Sequence, residues 1–111
     1  NYSRLVEFEV DPAAMRVRQV WSWGGPPQDS TYACYQGGAM RLPKTGNTFG
    51  TMGGICFDKG VPTSNNDGSF GSARLIEVTP NGDVVFDMRI DDSAAAAPRA
   101  FSAFRATHFP A

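Results

Sequence analysis

Apolar and polar residues alternate along much of this chain with the period of two that marks a strand with one buried face. Val6, Phe8 and Val10 alternate with Glu7 and Glu9, and Asp11-Pro12-Ala13-Ala14 supplies a turn. The return run from Arg16 to Trp23 puts Val17, Trp21 and Trp23 on one face and Arg16 and Arg18 on the other. A second hairpin runs from Arg74 to Ile90: Val84, Phe86, Met88 and Ile90 alternate with Val85, Asp87 and Arg89, behind an Asn81-Gly82 turn signal. Between them, Gly37 to Gly54 reads as an inner hairpin. Pro43 ends its first strand, Lys44-Thr45-Gly46-Asn47 turns, and Thr48-Phe49 restarts an extended run. Gly37-Gly38 and Gly53-Gly54 at its outer ends present no Cβ and leave room for another backbone or a ligand.

The hairpins repeat. Arg4-Leu5-Val6-Glu7 recurs seventy positions on as Arg74-Leu75-Ile76-Glu77, each followed by a proline-containing turn and an alternating return strand. An inner hairpin followed by an outer one makes a four-stranded antiparallel unit, the construction of a β-propeller blade. The expected fold is therefore all-β. Residues 1–23 form the outer hairpin of one blade and residues 31–90 a complete blade, with an inner hairpin over 31–57 and an outer one over 73–90. Residues 101–109 form a closing strand. Less than two blades cannot complete a ring, so the expectation is a piece of a larger propeller; a free-standing β-sandwich of short strands is the alternative.

Composition narrows the functional classes. Twelve glycines and eight prolines in 111 residues favour turns over helix. A net charge of −1 gives no electrostatic case for nucleic acid or an anionic membrane. No apolar run approaches the roughly 20 residues of a membrane-spanning helix. The chain starts at Asn1 without an initiator methionine or signal peptide, which fits a processed protein or an internal piece.

Tyr2 to Asp11, Gln19 to Gly24, Arg41 to Thr48, Leu75 to Gly82 and Phe104-Arg105-Ala106 resemble, in the same order, the C-terminal part of the bacterial arylsulfate sulfotransferases. Each motif alone is weak and their order is specific. The resemblance implies a six-bladed propeller, periplasmic or secreted. It also implies transfer of a sulfuryl group from an aryl sulfate to a phenol through a covalent sulfohistidine, without a nucleotide donor or other cofactor. Where the family places a channel-facing histidine ahead of its Leu-Pro turn, this chain has Gln36-Gly37-Gly38, so the nucleophile is expected outside it. Phe104 stands where the family often has a channel-facing tyrosine. The candidate substrate-lining residues are Tyr35, Gln36 and Phe104, and no catalytic residue is assigned. The partners implied are the rest of the parent propeller and aryl sulfate and phenol small molecules; a non-catalytic secreted propeller or sandwich binding module is the alternative.

Three further features have competing readings. His108, the one histidine, has no acidic or cationic neighbour in sequence and reads as a surface residue of the closing strand. Asn65, Asp67 and Gly68 alternate as in a calcium loop, but Thr63 stands where the first aspartate belongs and no bidentate glutamate follows. An ordinary loop and no metal site is the expectation. For a turn centred between Thr45 and Gly46, facing residues have numbers summing to about 91, and Cys34 and Cys56 sum to 90. A disulfide between them fits an oxidising compartment; two buried thiols are the other reading.

Overall fold

Residues 1–58, 61–63, 70–92 and 100–109 are described in the computed structural model, which is all-β. The calcium-loop residues Asn65, Asp67 and Gly68 lie outside this set. The strands are β1 (Leu5–Asp11), β2 (Arg16–Trp23), β3 (Tyr35–Arg41), β4 (Thr48–Asp58), β5 (Val61–Pro62), β6 (Phe70–Val78) and β7 (Val84–Ile90). All pair antiparallel. β1 and β2 form a hairpin of their own, and β3-β4-β6-β7 form a sheet in chain order, with the two-residue β5 attached to β4.

Two turns explain the registers. At Thr79–Asp83 the Gly82 amide donates to the Thr79 carbonyl, with Pro80 at the second place of the turn and Gly82 alone at positive φ, +97°. Pro80 fixes the αR geometry of a type I turn, so the Asn81-Gly82 signal closes the hairpin through a wider loop than a two-residue one. At Leu42–Asn47 the Leu42 amide donates to Asn47 O, and the Gly46 amide, at φ +73°, donates to Leu42 O. Arg41 therefore faces Thr48, and the turn centres between Lys44 and Thr45, one position earlier than the sequence reading placed it.

β4 carries an irregularity between Met52 and Ile55. Met52 and Ile55 have opposite parity, yet both are about 97% buried or more in the same cluster, with Leu5, Trp23, Ile76 and Val78. An extra residue at Gly53-Gly54 switches the pleat and makes that possible. This cluster fills the junction between the β1–β2 hairpin and the larger sheet. Leu5 enters a hole left by Gly50, where an added Cβ would lie 2.7 Å from Leu5 Cδ1. The indoles of Trp21 and Trp23 donate to the carbonyls of Pro80 and Gly82, each at 3.0 Å. On the opposite face of the sheet, Leu42, Phe49 and Leu75 form a second cluster joined by Met40 and Ala106.

The β1–β2 hairpin differs from its expected half-burial. Leu5 and Trp23 at its root are buried, whereas Phe8, Val10 and Val17 are exposed. The pairing shifts between Glu7 and Phe8, and only the root of the hairpin meets the sheet. Residues 101–109 make no strand, but the Phe101 amide donates to Gly71 O and the Ala103 amide to Gly53 O.

Candidate functional site

Among the described residues β3 is an edge strand, with no strand paired to its outer side. Its sequence, Tyr35-Gln36-Gly37-Gly38-Ala39-Met40-Arg41, leaves its Gly37-Gly38 stretch without side chains. Gln36 sits at φ +53° and drops out of the ladder, which otherwise pairs Tyr35 with Gly54 and Gly37 with Met52. The 101–109 segment passes over one side of this strand and the Ser3–Val6 stretch over the other. Glycines of β4 permit both approaches: a Cβ at Gly53 would overlap the Ala103 carbonyl, and one at Gly50 would lie 2.7 Å from Leu5 Cδ1.

Two clefts result. One, of about 340 Å³, is lined by Gly38, Ala39, Met40, Phe49, Arg105, Ala106 and Thr107. The other, of about 280 Å³, lies beside Ser3, Arg4, Val6, Gln36 and Gly37 and shares Gly38 and Ala39 with the first. Each has a single charged side chain in its wall, an arginine. Of the predicted residues, Gln36 lines the second cleft, and Phe104, 73% exposed, lines neither. Tyr35 lies beside Cys34 and Cys56. Burial, followed by the nearby thiols, raises its pKa. The structure thus separates the three residues.

Cys34 and Cys56 are free thiols, not a disulfide, with Sγ atoms 3.5 Å apart. Continuing the observed register puts Cys34 level with Ile55, one place from Cys56. The two sulfurs therefore meet across one place of register offset, next to the Gly54 carbonyl that accepts the Cys34 amide. Burial, with Cys34 beside it, raises the Cys56 pKa and keeps it a thiol.

A buried ion cluster ties the 25–31 loop to the sheet. Arg74, 7% exposed, donates from Nε and Nη2 to both carboxylate oxygens of Asp87 and from Nη1 to Asp29 and Thr31, at 2.7–2.9 Å. Burial would raise the Asp29 pKa, but the hydrogen bonds from Arg74 and Thr31 outweigh it and the pKa falls. The Asp87 carboxylate is likewise held below its ordinary range, chiefly by Arg74. His108 stacks edge-on to Phe49 at 5.7 Å, and no carboxylate pairs with it among the described residues. No cluster of three or more His, Cys, Asp or Glu side chains suited to a metal occurs among the described residues.

The family model of the arylsulfotransferases (ASST) matches residues 1–101, nearly the whole chain. The chain belongs to the arylsulfotransferase family. No curated protein and no solved structure matches it. The glycine edge of β3 thus borders two clefts, each with an arginine in its wall. The place of Arg105 has a spatial signal only: the bonds of Ala103 and Ala106 set it over Gly38, far away in sequence.

Proposed function

We propose that this chain is the C-terminal part of an arylsulfotransferase propeller that moves a sulfuryl group from an aryl sulfate to a phenolic acceptor. The group travels on a histidine that lies outside the chain, because no imidazole stands on β3. The observation that carries this reading is the family match over residues 1–101, joined to a glycine-bearing edge strand that borders two clefts. In the reaction, the imidazole displaces the phenolate and takes the sulfuryl group, and the acceptor phenol then removes it as its own proton leaves. This chain contributes walls. Gln36 borders the smaller cleft, and Tyr35 holds the start of β3 in place.

The rest of the parent propeller is the partner we assign to the second apolar face. Phe86, Met88 and Ile90 on β7 are 42, 41 and 36% exposed, on the side where Leu75 and Phe49 are buried. A neighbouring blade covers such a face in a ring, as the β1–β2 hairpin covers the other one. A periplasmic or secreted location completes the proposal. Incubation of the full-length protein with nitrophenyl sulfate and a phenol is expected to release nitrophenol and leave a sulfated histidine on the protein. Nitrophenol release without acceptor sulfation, or no labelled histidine, would defeat it.

A further inference from the structure

The larger cleft beside β3 has the chemistry of a subsite for a monoanionic aromatic head group. Its only charged wall residue is Arg105, which is exposed and pairs with no carboxylate among the described residues. Its backbone is nevertheless fixed: on one side the Ala103 amide bonds Gly53 O, and on the other the Ala106 amide bonds Thr51 Oγ1 at 3.1 Å. The side chain lies along the glycine strand, with Cγ and Nε 3.7 Å from where a Gly38 Cβ would stand. Opposite it the wall is apolar, with Phe49 and Met40, and Phe49 is held by Phe86 at 6.4 Å and His108 at 5.7 Å. A volume of about 340 Å³ falls at the small end of ligand sites, the size of a substituted aromatic ring.

We propose that Arg105 binds the sulfo group of an aromatic sulfo ester in this cleft, with the ring against Phe49 and Met40. The proposal deepens the sulfuryl-transfer reading and rests on it for the choice of a sulfo ester among aromatic anions. Charge count narrows the ligand independently. One guanidinium balances one negative charge, as an aryl sulfate has, whereas a phosphate monoester carries about −1.5 to −2 at pH 7. The guanidinium fork also matches two sulfo oxygens at once, which a lysine cannot do. The neighbouring cleft has a guanidinium, Arg4, but no aromatic wall, so it serves as the internal comparison.

The test is calorimetric binding of naphthalene-2-sulfonate, whose carbon–sulfur bond is not transferred, to the full-length protein. Arg105→Ala is expected to weaken binding about tenfold or more and Arg105→Lys by a smaller factor, with Arg4→Ala within twofold of the parent. Naphthyl phosphate is expected to bind the parent less tightly than the sulfonate. No sulfonate binding by the parent, unchanged binding in Arg105→Ala, or equal loss in Arg4→Ala and Arg105→Ala would overturn the proposal. Binding through Arg105 in a protein that transfers no sulfuryl group would leave the subsite standing and remove the proposed reaction. Normal transfer with Arg105-independent binding would do the reverse.

Discussion

Arg74 shows how one side chain joins parts of the chain that are far apart in sequence. Its guanidinium carries a loop aspartate, a loop threonine and a β7 aspartate at once, and it is nearly sealed from water. Arg74→Met removes the partner of the half-buried Asp29 and is expected to cost about 3 kcal/mol, read as a lower denaturant midpoint. Arg74→Lys should recover little, because an ammonium cannot span both Asp87 oxygens. The same cluster sets an acid limit. Both aspartates have folded pKa values below the ordinary carboxylate value, so their contribution is fully present above about pH 4 and is lost as the pH falls through the folded values. Melting temperatures measured from pH 7 to 2.5 should decline below about 4 in the parent and less steeply in Arg74→Met. Leu5→Ala, which empties the hole over Gly50, should cost about 3 kcal/mol by the same denaturant measurement. The thiol pair makes a further case: mild oxidation should lower the free-thiol count from two to none and raise stability by about 3 kcal/mol. A count that stays at two would show that the pair does not close into a disulfide.

At the scale of elements, the three hairpins were legible, whereas burial and the strandless 101–109 segment were not. Alternation located both outer hairpins, and the Pro43 and Gly46 pair located the inner one, because these signals are local chain properties. Alternation also marked Phe8, Val10 and Val17 as buried, and they are exposed: a period of two says that one face is apolar, without saying how far along the strand a partner reaches. The Gly53-Gly54 bulge was legible only as an absence of Cβ. Its effect, bringing Met52 and Ile55 to one face, depends on β6 and the Ala103 backbone, neither of which is near in sequence. For the same reason Arg105 went unread as a site residue while Tyr35, adjacent to the glycines, was singled out and turns toward the cysteines instead. The bulge can be tested directly. Gly53→Ala forces its methyl onto the Ala103 carbonyl, so the 101–109 segment should detach and become the first site of limited proteolysis. Resistance equal to the parent's would mean that the segment is not held there.

For the whole molecule, the imbalance between the two faces of the larger sheet decides behaviour. One face is closed by the β1–β2 hairpin and the 25–31 loop, and the other leaves the β7 row of Phe86, Met88 and Ile90 partly open. Residues 1–111 produced alone should associate, with the apparent mass rising with concentration in light scattering, and Phe86→Lys with Met88→Glu should suppress this. A sharp monomer at every concentration would argue against a missing neighbour. The closed face has an optical consequence as well. Both indoles of the chain, Trp21 and Trp23, sit at the single seam between hairpin and sheet, clamped to carbonyls of one turn. Intrinsic fluorescence therefore reports on that seam alone, and an emission red shift that precedes the loss of β circular dichroism would reveal the hairpin peeling away before the blade melts.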